Sequence, residues 1–340
     1  MPRIAIDAMG GDHAPGVVVR GTYKSATEHP DWAHILVGGE AVVRRELEPC
    51  GTPLPNIKVV HAEEVIGMNE HPVEALRAKR KSSLGIAVGL VKQGEADAVI
   101  SAGNTGALVA GATLALRHLP GVKRAGILTT LPTLKGRIVI MDVGANIDPK
   151  PMHLMQYAVM GDKFFRGVIA NQHDQEVKVG LISVGSEEGK GNALIKETHA
   201  LLTQAEVDFR GNVEGHEIFE GGIQVVVCDG MVGNIVLKMS EGLAEILLKM
   251  FIGQAAKHEL KDDPRFKATI GDLVYAIDWR EVGGAALLGV NGVVVIAHGR
   301  SDERAIASGI RTAAFCFDSK VNDKIIEALK LEDSKTGAAT

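Results

Sequence analysis

What most restricts the fold of this chain is a repeated pattern. A short run of apolar, often β-branched residues gives way to a polar glycine-rich loop, and then to a segment of helical period. The runs are Arg3–Asp7, His34–Val37, Ile57–Val60, Ala98–Ser101, Gly126–Thr130, Ile138–Asp142, Val177–Val184, Gln224–Cys228 and Gly292–Ala297. Several are apolar at nearly every position, which is the signature of strands covered on both faces. Helical patterns lie between them, among them Val73–Lys92, Gly106–Arg117, Pro151–Phe165 and Asn192–Leu202. The expected architecture is a three-layer α/β/α sandwich around a mostly parallel sheet. With no linker or internal repeat, residues 1–330 read as one α/β domain and 331–340 as a disordered tail.

Ligands of such sheets bind beyond the carboxyl ends of the strands, so the strand-end loops carry the functional argument. They are Asp7-Ala8-Met9-Gly10-Gly11-Asp12-His13, Ser101-Ala102-Gly103-Asn104-Thr105-Gly106, Asp142-Val143-Gly144-Ala145-Asn146, Ser183 to Asn192, and Cys228-Asp229-Gly230-Met231-Val232-Gly233-Asn234. Turn formation and helix capping account for each loop singly. Taken as five loops on one sheet edge, they suggest a site.

The segment Ser183–Asn192 is a phosphate loop by composition but not a nucleotide P-loop. Three residues separate Gly185 from Gly189, and Gly191 follows Lys190 where a magnesium-binding hydroxyl is required. Backbone N–H groups, a helix start and a mobile lysine suit a small phosphate without a metal. The chain also lacks a G-x-G-x-x-G fingerprint, a G-x-S-x-G elbow and any Cys/His set with metal spacing. No cofactor and no metal are expected. Cys228 reads as a buried structural thiol ahead of a nucleophile, while His13 and His298 are open to a catalytic or a turn-bonding role.

A net charge of −5 argues against a nucleic-acid partner. Three scattered cysteines and an immediate opening strand fit a reducing cytosol with no targeting segment. The most apolar stretch, Gly283–Ala297, is too short and glycine-interrupted to span a bilayer.

Together the motifs Asp7–Asp12, Ser101–Gly106, Asp142–Asn146, Glu187–Asn192, Cys228–Gly230 with Val232–Asn234, and Leu288–Gly292 closely resemble those of the bacterial phosphate acyltransferases of the PlsX type, in order over residues 1–328. Met231 and Pro149 depart from the common pattern. The resemblance implies a fold like that of phosphotransacetylase and isocitrate dehydrogenase. It also implies conversion of acyl-acyl carrier protein and inorganic phosphate to acyl phosphate and free carrier protein, in phospholipid synthesis. It further implies a homodimer, peripherally associated with the cytoplasmic membrane, that serves a downstream glycerol-3-phosphate acyltransferase. Lys190 and Asn234 match residues that the family uses in catalysis. Asp7, Gly10, Gly11, His13, Asn104, Thr105, Asp142, Asn146, Gly189, Gly191, Asn192, Asp229 and Gly233 are the implied substrate-binding positions.

Phosphate is itself a nucleophile, which suits a chain without a nucleophile elbow. What remains is positioning and oxyanion stabilisation, with Lys190 on phosphate and Asn234 on the oxyanion. Because carrier proteins are acidic, Arg77, Lys79, Arg80 and Lys81 on one predicted helix are either a docking patch or a solvated face. In segment 242–260, Leu243, Ile246, Leu247, Met250 and Phe251 share a helical face. That face is either buried in the core or a dimer, or meets a membrane near Phe251 and Ile252. An isocitrate-type dehydrogenase and a non-catalytic carrier-protein scaffold are the competing readings.

Overall fold

The strands assemble in two blocks of opposite sense joined in the middle of one sheet. Strand β1 (Arg3–Asp7) pairs in parallel with β2 (Ala33–Gly38) and β4 (Ala98–Ser101), and β2 pairs with β3 (Ile57–His61). The other block comprises β6 (Gly136–Met141), β9 (Val225–Val227), β7 (Lys178–Ile182) and β8 (Asp208–Val213), all parallel. Between the blocks lie β11 (Val293–Ile296), parallel to β4, then β10 (Ala285–Leu288) and β5 (Gly126–Thr133), the last two each antiparallel to both neighbours. The order across the sheet is β3-β2-β1-β4-β11-β10-β5-β6-β9-β7-β8. This computed structural model describes residues 1–170, 176–260, 262–277 and 283–337.

Helices cover both faces, as the continuous apolar runs require. On one face a single core crosses the whole sheet. There Val37, Val99, Ile127 and Val226 meet Leu84 and Val88 of α4 (Ser83–Lys92) and Leu108 of α5 (Thr105–Leu116). On the other face each block has its own core. Ile6, Leu36 and Ile100 pack on Val18 of α1 (Gly16–Glu28), Val43 of α2 (Glu40–Leu47) and Ile310 of α10 (Glu303–Asp318). Val139, Val179 and Val227 pack on Leu154 of α6 (Pro151–Phe164), Ile195 of α7 (Ala193–Leu202) and Ile325 of α11 (Val321–Gly337). Each such side chain contributes roughly 1.5–3 kcal/mol when fully buried.

Several helix starts are fixed by their capping residue. Asn104, Asn192, Asp229 and Asp302 each accept a hydrogen bond from a first-turn backbone N–H, satisfying a donor that the helix cannot. Ser82 does the same for α4, accepting from Gly85 N at 3.3 Å. That cap splits the expected helix Val73–Lys92 in two. Helix α3 (Pro72–Ala78) ends at Lys79, and Arg80 and Lys81 lie in the connecting turn. The chain end also departs from expectation. Helix α11 continues to Gly337, and the buried Glu332 accepts a 2.6 Å hydrogen bond from Glu206 N, so 331–337 are helical. Residues 338–340 of the expected tail lie outside the described residues.

Helix α8 (Gly230–Lys257) is long and little covered. At 28 residues it extends about 42 Å, and only Gly230, Gly233 and Ala255 are fully buried. Val232, Val236 and Leu237 rest on the common core, while Met231, Ile235, Met239, Leu243, Ile246, Leu247 and Met250 remain exposed. Phe251 stacks on Phe266 of α9 (Pro264–Ile277) with ring centroids 5.8 Å apart. No helix among the described residues is long and apolar enough to cross a membrane.

Candidate active site

The reversal of strand sense divides the strand-end loops. Those after β1, β4 and β11 leave one edge, and those after β6, β9 and β7 leave the other. The expectation of five loops on one edge therefore fails, because β10 and the β5–β6 hairpin turn the second block over. Four pairings separate β4 from β6. At roughly 20–25° of twist per pairing they also rotate the blocks by about 80–100°.

At the second edge, β6, β9 and β7 are consecutive neighbours, and adjacent strands lie about 5 Å apart. Asp142, fully buried at the end of β6, organises the first loop. Its Oδ1 accepts from Ile127 N (2.9 Å), Ala145 N (3.1 Å) and Gly144 N (3.2 Å). Its Oδ2 accepts from Asn146 N (2.7 Å) and Asn146 Nδ2 (3.2 Å). Burial pushes this carboxyl up and the N–H donors oppose the shift. Every partner is a donor, so the cage matches a carboxylate. Asn146 is likewise committed, donating to Ala125 O at 2.7 Å and Tyr157 Oη at 2.8 Å. Asp142 and Asn146 thus form the scaffold of the loop.

The first turn of α8 is pressed against this scaffold. Gly230 N donates to Asn146 O, and a Cβ on Gly233 would lie 1.9 Å from Asp142 O. Only glycine permits that approach. Asp229 caps the turn, accepting from Met231 N and Val232 N at 2.9 Å each. Cys228 is buried, and its Sγ donates to Asp142 O at 3.4 Å. Burial first, then the Asp229 and Asp142 charges, hold its thiol well above the ordinary range, which is the behaviour of a structural cysteine. Asn234 differs from all of these. It is exposed, its amide makes no hydrogen bond within the described chain, and it faces Gly144, whose Cβ position lies 3.9 Å from Asn234 Oδ1.

The lysine loop leaves the neighbouring strand β7. Lys190 is about half exposed, with Nζ 3.9 Å from Glu187 Oε1. The turn beneath it is closed by Lys190 N on Glu187 O (3.0 Å) and anchored by Asn212 Nδ2 on the same oxygen (2.9 Å). Gly191 has φ +92°, Gly189 faces open space, and Asn192 Oδ1 accepts from Ile195 N at 3.0 Å.

At the first edge, Asp7 is buried and accepts from Ser101 Oγ at 2.7 Å and Met9 N at 3.3 Å, with burial raising its carboxyl. Gly10 packs beside it, where a Cβ would come within 2.7 Å of Asp7 Oδ2 and Gly103 N. Asn104 donates to Gly67 O, Met68 O and Glu70 O, so its amide ties down the 67–70 loop. Thr105 and His13 are exposed, and Gly11 has φ +112°. His298 is held low by burial, then by the Lys238 charge. The charges of Lys238 and Glu241 on α8 also reach His298.

Arg77, Lys79, Arg80 and Lys81 do not share a helix. Lys79 is bound to Glu70 and Val65 O, and Lys81 pairs with Glu63 at 3.1 Å. Phe251 is exposed and Ile252 half-buried. Sequence reasoning missed Asn212, which sits on a polar edge strand, and Tyr157, whose buried hydroxyl completes the Asn146 site. Its one legible signal is a tyrosine among apolar positions of α6.

A family model described as fatty acid synthesis protein matches residues 2–324. The protein named phosphate acyltransferase of Desulforamulus reducens is 45% identical over 335 residues, 97% of this chain and 98% of that protein. Among solved structures, a phosphotransacetylase from Streptococcus pyogenes superposes with TM-score 0.64 at 20% identity, covering 92% of this chain and 93% of that one. A branched-chain phosphotransacylase from Enterococcus faecalis gives 0.57 at 16%, over 93% and 99%. At these identities the two structures show a shared fold.

Proposed function

Because the chain belongs to the fatty acid synthesis protein family, that of the phosphate acyltransferases, we propose that it transfers an acyl group from the thioester of an acyl carrier protein to inorganic phosphate. A phosphate oxygen attacks the thioester carbonyl, forming the C–O bond of an acyl phosphate. The C–S bond breaks, and the departing sulfur takes the proton that hydrogen phosphate gives up. No enzyme nucleophile is required, in keeping with the sealed thiol of Cys228.

What supports this reading is that the loops carrying the unbonded Asn234 amide and the half-exposed Lys190 leave the same sheet edge from neighbouring strands β9 and β7. Lys190 and the N–H groups around Gly189–Asn192 bind and orient phosphate. The Asn234 amide, held against Gly144, donates to the oxyanion of the tetrahedral intermediate. Asp142, Asn146 and Asp229 hold that amide in place from beneath.

The exposed apolar stripe of α8 supports two finer inferences. A second copy of the chain covers its length to form a homodimer. Its outer end near Phe251 rests on the cytoplasmic membrane, where acyl phosphate passes to a glycerol-3-phosphate acyltransferase.

The test is phosphate-dependent release of carrier thiol from palmitoyl-acyl carrier protein, with acyl phosphate trapped by hydroxylamine and no metal or nucleotide added. Activity in the wild-type protein that collapses in Lys190→Ala supports the reading. An inactive, folded wild-type protein overturns it.

A further inference from the structure

The loop that leads into β5 carries a set of cations with no acid partner among the described residues. Arg117, Lys123 and Arg124 are exposed there, and Lys150 is exposed just before α6. None of these four side chains pairs with an acid among the described residues. Their charges converge: Arg124 acts on His118, His153 and Tyr157, and Lys150 acts on His153. The nearest acid along the chain, Asp148, is exposed and joins none of them.

This rim is rigid and borders the candidate site. The buried Gln156 pins the loop at two points, accepting from Lys123 N at 2.8 Å and donating to Gly121 O at 2.9 Å. Leu119 N bonds Gly289 O and Asn291 N bonds Arg117 O, tying it to the turn after β10. Ala125, next to Arg124, accepts from Asn146 Nδ2, and Ile127 N donates to Asp142. The loop that bears Arg117, Lys123 and Arg124 is therefore tied to the scaffold that presents Asn234. In a chain of net charge −5, such a local excess of fixed positive charge attracts an acidic surface and steers its approach.

We propose that Arg117, Lys123, Arg124 and Lys150 form the docking surface for the acidic carrier protein. Delivery of the thioester on the carrier's long prosthetic arm requires docking beside the reacting groups. This surface adjoins the Asp142–Asn234 scaffold, whereas Lys79 and Lys81 are occupied by Glu70 and Glu63. The inference deepens the acyltransferase reading and rests on it for the identity of the partner.

The test measures binding of acyl-free carrier protein by calorimetry, and turnover of an acyl-pantetheine thioester that lacks the carrier. The double variant Lys123→Glu with Lys150→Glu is expected to weaken carrier binding at least about tenfold at low salt. High salt should shrink that difference, since screening removes most of an exposed attraction. Turnover of acyl-pantetheine should be unchanged. If the reversal disturbs folding, Lys123→Gln with Lys150→Gln is expected to weaken binding by roughly threefold. Unaltered carrier affinity in a folded reversal variant overturns the proposal. So does loss only from Arg77→Glu with Arg80→Glu, or an effect confined to binding of anionic phospholipid vesicles. Carrier binding that follows the rim charges, in a wild-type protein that turns over neither thioester, supports the docking surface and refutes the acyltransferase reading instead.

Discussion

Gly233→Ala is the most informative single substitution. The new Cβ would sit 1.9 Å from the Asp142 carbonyl oxygen, about 1.1 Å inside the 3.0 Å floor of real Cβ contacts. Both sides of this contact are backbone, so no rotamer change relieves it. Asp142 is fixed by its N–H donors and by strand pairing, so the exposed helix α8 must retreat by about an ångström, carrying Asn234 with it. A misplacement of that size costs on the order of 10²-fold in turnover, or about 2.7 kcal/mol of transition-state stabilisation. Overpacking costs about 1–3 kcal/mol of stability, which a domain of this size tolerates. The assay is kcat at saturating phosphate and acyl carrier protein, with circular dichroism to confirm folding. Gly242→Ala, in the same helix with open space around it, is the control and should retain full rate. A folded Gly233→Ala protein within about twofold of wild type would refute the argument that Asn234 acts from a fixed position.

Asn234→Ala itself should lower kcat by about 10²–10³ with little change in the Michaelis constant for carrier protein, the usual effect of deleting one oxyanion donor. Asn212→Ala frees the Glu187–Lys190 turn, and should raise the Michaelis constant for phosphate while leaving that for the carrier substrate unchanged in steady-state kinetics. Burial holds His34 down at about 4 against 6.5 unfolded, with Nε2 on Ser25 Oγ at 3.0 Å. The unfolded chain then binds more protons between those values, so stability falls as pH drops from 6.5 towards 4. The loss amounts to about 3 kcal/mol, and urea titrations should show it missing from the pH dependence of His34→Gln. Phe251→Glu should abolish co-sedimentation with anionic vesicles without altering turnover of a soluble substrate.

Where a strand is apolar at nearly every position, as in Ala98–Ser101 or Val225–Val227, the sequence identifies it because both faces must be filled. Two strands escape that identification, for different reasons. Asp208–Val213 is an edge strand with polar and half-exposed positions, and Ala285–Leu288 merges with Val293–Ile296 into one apolar stretch divided by Gly289 and Asn291. Strand direction is not encoded in hydrophobicity at all, which is why the loops after β1 and β6 looked equivalent. In the site, Lys190 and Asn234 are exposed polar groups with few or no internal bonds among the described residues. Asp142, Asn146, Asp229 and Asn104 carry the same residue types in the same loops, yet their polar atoms are committed to the fold. The difference lies in hydrogen-bond partners contributed by distant segments, such as Ala125 for Asn146 and Met68 for Asn104.

The position of β10 and β11 has a consequence for how the chain is made. These strands emerge last from the ribosome, yet they occupy the middle of the sheet, where Ala98 pairs with Val293 and Leu128 with Ala286. Until residue 296 is available, β4 and β5 each keep a bare edge, and the two halves of the protein have no sheet contact. Nascent chains halted before residue 283 should therefore carry two separate half-sheets with sticky borders. Joining them across so long a span sets the pace of maturation, and the two borders are where holding chaperones would find this protein.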